Sequence, residues 1–229
     1  MPKHIGIVAC SAEGAALCYR TLCTEAPALM GPHQHPEVSL HTFPLGRYME
    51  YLYRDDWDSV GDLMAESARK LASIGAEFCI CPDNTIHQVF ARATANSPVP
   101  WLHIAEVVAE EAVRRGFRHL GVLGTRYLME GPVYPEKLAP RSLAHSIPGP
   151  EQRARINAII FDELVNGRFL PESRGYLVDV IGGLKQQGCD AVVLGCTEIP
   201  LIISDADSPL PTLDSTRLLA RAALRKALE

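Results

Sequence analysis

Asp190-Ala-Val-Val-Leu-Gly-Cys-Thr-Glu-Ile-Pro200 reads as a buried strand that ends at a thiol. Ala191 to Leu194 is a continuous apolar run, the pattern of a parallel strand covered on both faces. Gly195 interrupts the run, and Cys196-Thr197 stand where a strand-to-helix turn is expected to begin. In open α/β sheets the carboxyl edge of the strands is where ligands bind. The exposed N–H groups of a helix start favour anions, a substrate carboxylate or a thiolate alike. The plain alternative for Cys196 is a small buried hydrophobe, since most cysteines outside disulfides serve that way.

A second stretch has the same grammar. In Glu77-Phe-Cys-Ile-Cys-Pro-Asp-Asn-Thr-Ile-His87 an apolar run (Phe78 to Cys81) leads into Asp83-Asn84-Thr85, and a helix is expected from Ile86 to Ala93. Two similar strand ends in two halves of one chain point to a pseudo-symmetric pair of α/β units with a site between them.

Outward from these stretches, 229 residues suffice for one large domain or two small ones. A hydrophobic content of 47% and a charged content of 21% are ordinary for a globular protein. A net charge of -5 gives no basic footprint for nucleic acid, and no apolar run is long enough to span a bilayer. Met1-Pro-Lys-His leads straight into a strand, which leaves no room for a secretory leader. Of seven cysteines at least one has no internal partner, so reduced thiols in a cytoplasmic setting are expected. Cys79 and Cys81 form a C-x-C inside a strand, and no Cys or His cluster has zinc-like spacing.

In chain order, Ile5 to Ala9 is the first expected strand, Cys10 to Gly14 the loop after it, and Ala15 to Cys23 a helix. Val38 to Phe43 alternates as a strand, and Leu45 to Trp57 reads as a loop or irregular helix. Asp58 is expected to cap a helix that runs to Ser73 and ends at Gly75. Ser97-Pro-Val-Pro100 is a natural crossover. Trp101 to Ile104 is short and apolar, a helix comes next from Ala105 to Arg115, and His119 to Leu123 is a strand ending in Gly124-Thr125. Prolines from Pro132 to Pro150 break up the next stretch. Glu151 to Val165 and Ser173 to Gln187 read as helices, Leu210 to Leu213 as a strand and Ser215 to Leu228 as a terminal helix. Strands alternating with helices imply parallel sheets.

Asp83-Asn84-Thr85-Ile86-His87 and Gly195-Cys196-Thr197-Glu198 resemble the paired motifs of the aspartate/glutamate racemase superfamily, enzymes that need no pyridoxal phosphate. Supporting pieces stand in the same order: Ile5-Gly-Ile-Val, Leu102-His-Ile-Ala105, Leu123-Gly-Thr-Arg-Tyr127 and Arg155-Ile-Asn-Ala-Ile-Ile160. The similarity covers nearly the whole chain. Glu198 sits where glutamate racemases usually carry His, which is nearer to the aspartate/glutamate racemase branch.

The resemblance implies an α/β fold of two pseudo-symmetric domains, each with a short parallel sheet, and an active site in the cleft between them. Residues 1–99 with 211–229 would form the first domain, since the terminal helix often returns to it, and 100–210 the second. Carried over by position, Asp83 and Cys196 are the catalytic pair. Ser11, Asn84, Thr85, Thr125 and Thr197 would hold the substrate's carboxylates, joined by the basic side chains Arg47 and Arg155. The expected partner is a small-molecule carboxylate, with no cofactor, metal, nucleic acid or membrane, in a homodimer.

Racemisation takes a proton from one face of a carbon and returns one to the other, so it needs two proton carriers, each about 3 Å from the proton's path. A thiol with an ordinary pKa of about 8.5 suits this. This chain departs from the resemblance at the first position, where Asp83 replaces the usual Cys. An ordinary aspartate is the weaker base, and desolvation beside substrate carboxylates is expected to strengthen it. Ala9-Cys10-Ser11 also replaces the common Gly-Gly-Met-Ser, which narrows the first loop.

Two other readings compete with a racemase or epimerase of an acidic amino acid. One is a decarboxylase, cis-trans isomerase or lyase acting on a dicarboxylate, with Cys196 as the main thiol. The other is a binding protein on a retired scaffold. Cys10 is a third thiol near the expected cleft. His87 reads as structural, His103 as either a cleft or a packing residue, and Glu198 as orienting Thr197 or capping the helix expected after it.

Overall fold

A computed structural model describes residues 1–229. The chain forms two compact units, Met1–Ile104 with Thr216–Glu229, and Ala105–Ser215. The first contains β1 (Ile5–Ala9), α1 (Ala12–Glu25), α2 (Pro27–Met30), β2 (Val38–Thr42), α3 (Leu45–Tyr53), α4 (Trp57–Ser73), β3 (Phe78–Ile80), a 3-10 turn (Thr85–Val89), α5 (Phe90–Thr94) and β4 (Trp101–Leu102). After α6 (Ile104–Arg114) come β5 (His119–Leu123), α7 (Arg126–Glu130), α8 (Val133–Leu138), β6 (Ala144–Ser146) and α9 (Pro150–Ala158). A π-helical segment (Ile159–Glu163), α10 (Pro171–Gln186), β7 (Ala191–Leu194), a 3-10 turn (Ile199–Leu201) and β8 (Thr212–Asp214) complete the second unit. The terminal helix α11 (Ser215–Ala227) returns to the first unit. There Lys3 N donates to Ala227 O at 2.8 Å, and Arg221 makes a two-point ion pair with Glu25.

The two sheets have the same topology. All strands are parallel, in the orders β2-β1-β3-β4 and β6-β5-β7-β8. The central strands β1, β3 and β7 are buried along their whole length, as their unbroken apolar sequences require of strands covered on both faces. In each sheet the second strand in sequence lies on one side of the first and the third on the other. The order therefore reverses between β1 and β3, and between β5 and β7. Loops leaving the carboxyl ends of such strands part in opposite directions and leave a crevice between them. Cys10-Ser11 and Asp83-Asn84 come after one such pair of strands, and Gly124-Thr125 and Cys196-Thr197 after the other.

Local chemistry sets the element ends. Ser11 caps α1 by accepting from Gly14 N at 3.3 Å. Gly75 and Gly188 adopt φ of 100° and 93°, the left-handed region that stops a helix and turns the chain into β3 and β7. The units close around their own cores: Tyr48, Leu52, Val60 and Met64 in the first, and Ile156, Ile181, Leu184 and Leu194 in the second. No helix is long and apolar enough to cross a membrane.

Several sequence expectations need correction. Asp56, not Asp58, caps α4, accepting from Ser59 N at 3.1 Å and Ser59 Oγ at 2.6 Å, while Asp58 pairs with Arg92. Leu45 to Trp57 holds a regular helix, α3, because Tyr48 and Leu52, one turn apart, both bury into the core. The helix expected from Ile86 to Ala93 is split into the 3-10 turn and α5. The proline-rich stretch holds α8 and the edge strand β6, whose Ala-His-Ser sequence has no strand pattern and is shaped by pairing with β5. The unit boundaries fall at 104/105 and 215/216, a few residues beyond 99/100 and 210/211. The reason is that β4 is the last strand of the first sheet and β8 of the second.

Candidate active site

In the first unit β3 delivers Cys81, Pro82 and Asp83 to the carboxyl edge of the sheet. Asp83 is half-buried, and its Oδ1 accepts from Ile86 N at 3.3 Å, tying the carboxyl to the next turn. Its backbone carbonyl accepts from His87 Nδ1 at 2.6 Å, and His87 Nε2 accepts from Ile104 N at 3.3 Å. A carbonyl only accepts and a backbone N–H only donates, so the imidazole is neutral with its proton on Nδ1. His87 thus braces Asp83 against the start of α6, stacked on Phe90 and edge-on to His103. That geometry leaves the ring a supporting part.

Beside Asp83, Asn84 and Ser11 are buried and Thr85 is half-buried. Arg47 lies in the first turn of α3, exposed, its guanidinium 4.6 Å from the centre of the Phe43 ring. Cys81 is fully buried. Burial first, then the neighbouring charge of Asp83, pushes its thiol well above the ordinary range, and burial raises Cys79 to about 12. Both stay protonated at neutral pH. Tyr48, on α3, is also buried in this unit. Its hydroxyl is buried without a hydrogen bond, and burial first, then the nearby Asp83 carboxylate, holds the phenol neutral.

In the second unit β7 delivers Gly195, Cys196 and Thr197 to the equivalent edge. Gly195 N donates to Leu123 O at 2.7 Å, drawing the end of β7 onto β5. A β-carbon at Gly195 would lie 2.7 Å from that same carbonyl and 2.6 Å from Leu128 Cδ2. Gly195→Ala is therefore expected to cost about 2 kcal/mol, roughly 5 °C in Tm, readable by thermal denaturation. An unchanged melting curve would show that the strand end tolerates the shift.

The segment after Cys196 corrects a sequence expectation. No α-helix begins there: Ile199–Leu201 is a single 3-10 turn. The segment that follows the thiol consequently offers it no α-helix dipole. Cys196 Sγ donates to Glu198 Oε2 at 2.9 Å, and Thr197 Oγ1 donates to the same oxygen at 3.1 Å. Cys196, Thr197 and Glu198 are all buried, and Glu198 Oε1 has no hydrogen-bond partner. After the neighbouring strand β5, Thr125 caps α7 by accepting from Leu128 N at 3.2 Å. Arg155 is exposed on α9, the helix after edge strand β6, as Arg47 is on the helix after edge strand β2.

Each unit therefore gathers its own share of the expected residues. Ser11, Asp83, Asn84 and Thr85 adjoin at the order reversal of the first sheet, and Thr125, Cys196 and Thr197 at that of the second. The buried Glu198 carboxyl is the partner that sequence reasoning undervalued. Its signal was the spacing, since a carboxylate two residues after a thiol reaches it once the chain turns tightly.

Comparison with known proteins gives these edges a lineage. Residues 5–223 match the family described as Asp/Glu/Hydantoin racemase. A crystal structure of a candidate Asp/Glu racemase from Yersinia pestis shares 30% identity and superposes with a TM-score of 0.90, covering 99% of this chain and 100% of its own. An aspartate racemase homologue from Pyrococcus horikoshii shares 27% identity over 100% of both chains, with a TM-score of 0.85. The broad specificity amino-acid racemase RacX of Bacillus subtilis is 21% identical over 83% of this chain and 81% of its own length. With the match running through both sheets and both strand-end motifs, the chain belongs to the Asp/Glu/hydantoin racemase family and is an isomerase of the racemase class.

Proposed function

We propose that this chain is a cofactor-independent racemase or epimerase of an acidic amino acid, or of a closely related carboxylate, with Asp83 and Cys196 as its two proton carriers. The observation that carries the reading is the equivalence of their positions. Each comes after the third strand of its own sheet, β3 or β7, at the point where the strand order reverses. The names of the relatives, an aspartate racemase homologue and a broad specificity amino-acid racemase, support an amino-acid substrate.

In the proposed reaction one carrier takes the α-hydrogen as a proton. The electron pair left behind spreads from the carbon into the adjoining carboxylate. The second carrier then gives a proton to the opposite face. The Asn84 amide, the hydroxyls of Ser11, Thr85 and Thr125, and the backbone N–H of Thr197 are donors for the carboxylate oxygens as charge develops there. A hydroxyl that accepts a helix-cap bond, as Ser11 and Thr125 do, still carries a hydrogen to donate. Arg47 and Arg155 add positive charge from the helices after the edge strands.

The test is α-proton exchange in deuterated water, read by NMR and chiral chromatography on both enantiomers of aspartate and glutamate and on small diacids. Deuterium entering both enantiomers of an acidic amino acid is the expected result. Product of new composition from a malonate- or maleate-type diacid would instead assign the chain to decarboxylation, isomerisation or elimination with Cys196 as the main thiol. Ligand-dependent stabilisation without turnover would make it a binding protein.

A further inference from the structure

We infer that Glu198 is a positioning residue that holds Cys196 as a thiol, so that the resting enzyme carries its acid at Cys196 and its base at Asp83. The inference rests on the racemase reading above and adds the direction in which the pair is set. The expected arrangement, a thiolate favoured by a helix start, is not what the strand end provides. Cys196 donates its S–H to Glu198 Oε2 at 2.9 Å, Thr197 donates to the same oxygen at 3.1 Å, and Glu198 is 2% exposed.

Removing the proton from Cys196 would set a thiolate against a carboxylate in a site closed to water, where like charges repel strongly. The segment that follows the thiol does not offset that repulsion. It is one 3-10 turn, without the macrodipole of a helix. Tyr134, whose ring lies 3.5 Å from a β-carbon built on Gly195, is kept neutral by burial. Asp214, opposite Leu194 in the register of β7 and β8, is itself a carboxyl side chain. Neither brings a positive charge.

Over one turnover the protons balance. Asp83 takes the α-hydrogen as a proton and becomes a carboxylic acid. Cys196 passes its S–H proton to the carbon and becomes a thiolate beside Glu198, and no electrons enter or leave. The repulsion makes that thiolate a stronger base for the return reaction, which is what the reverse direction requires of it. The unpartnered Oε1 of Glu198 is a second acceptor on the same carboxyl group.

The test reads the thiol and not the turnover. The full-length protein is alkylated with iodoacetamide across a pH series, and Cys196 modification is measured by peptide mass spectrometry, apart from the other cysteines. In the wild type the alkylation midpoint at Cys196 is expected above the ordinary value of about 8.5. Glu198→Gln keeps the shape and an acceptor while removing the charge. It is expected to lower the midpoint by about one unit or more and to speed alkylation about tenfold below it. Glu198→Asp keeps the charge and is expected to stay near the wild type.

A wild-type midpoint at or below about 8.5, or a Glu198→Gln profile identical to it, would overturn the inference. If Glu198→Gln does not fold by circular dichroism, the wild-type and Glu198→Asp profiles still decide. A Glu198-dependent midpoint in a protein with no racemisation would leave the positioning intact and remove the racemase reading. Racemisation with a Glu198-independent midpoint would do the reverse.

Discussion

Cys196→Ala is expected to stop racemisation while leaving the fold in place. A positioned acid or base contributes a factor of about 10²–10⁴ to the rate, and in the proposed mechanism both carriers act in every turnover. The loss should therefore reach the floor of the assay. Stability should change little. The side chain is small, Gly195 and not Cys196 fixes the approach of β7 to β5, and Thr197 still donates to Glu198. A decrease of about 1 kcal/mol in stability is expected, measured by denaturant titration.

The two-carrier scheme predicts more than a loss. With Cys196 gone, Asp83 can still remove and return a proton on its own face. In deuterated water one enantiomer should exchange its α-hydrogen without inverting, and the other should not exchange at all. Full racemase activity in Cys196→Ala, or equal exchange of both enantiomers, would remove Cys196 from the chemistry.

Asp83→Asn is expected to give the mirror image of that result. The amide oxygen can still accept from Ile86 N, so the turn after β3 and the His87 brace on the Asp83 carbonyl persist. The amide cannot carry the proton. Racemisation is expected to fall by about 10²–10⁴, with the retained exchange now on the enantiomer that Cys196 serves and growing as rising pH ionises its thiol. Asp83→Cys supplies a control, since a thiolate is a stronger base than a carboxylate. It is expected to raise racemisation of aspartate or glutamate above the wild type. No change with Asp83→Cys, together with undisturbed exchange of both enantiomers in Asp83→Asn, would show that Asp83 serves a different reaction.

The sequence carried most of the fold, through one kind of signal. Ile5 to Ala9, Phe78 to Ile80 and Ala191 to Leu194 are short apolar runs that lead into polar turns, and burial on both faces leaves such strands little other composition. The edge strand β6 was illegible for the opposite reason. Ala144-His-Ser146 has little to bury and is extended because β5 offers it backbone partners. Helix α3 was hidden in the same way, its Tyr48 and Leu52 packing into a core that the local Arg- and Tyr-rich composition does not announce. At the start of α4, Asp56 and Asp58 are equally good caps by type, and only the backbone conformation selects Asp56.

The same division runs through the candidate site. Its members were legible by name, because Ser11, Asp83, Asn84, Thr125, Cys196 and Thr197 stand just beyond apolar runs and chain order alone brings them to strand ends. Their chemical state was not. Whether Cys196 meets helix N–H groups or a carboxyl depends on how the chain turns after Gly195. That turn is set by β5, whose Leu123 carbonyl binds Gly195 N and whose neighbour Leu128 leaves no room for a side chain there. Likewise His87 is an ordinary imidazole in the sequence and a brace only because Ile104 N and the Asp83 carbonyl reach its two nitrogens. The sequence by itself determined which groups reach the strand ends, since burial pattern is a local property. Which group each one faces was decided by contacts distant in sequence, and those exist only once the sheets have formed.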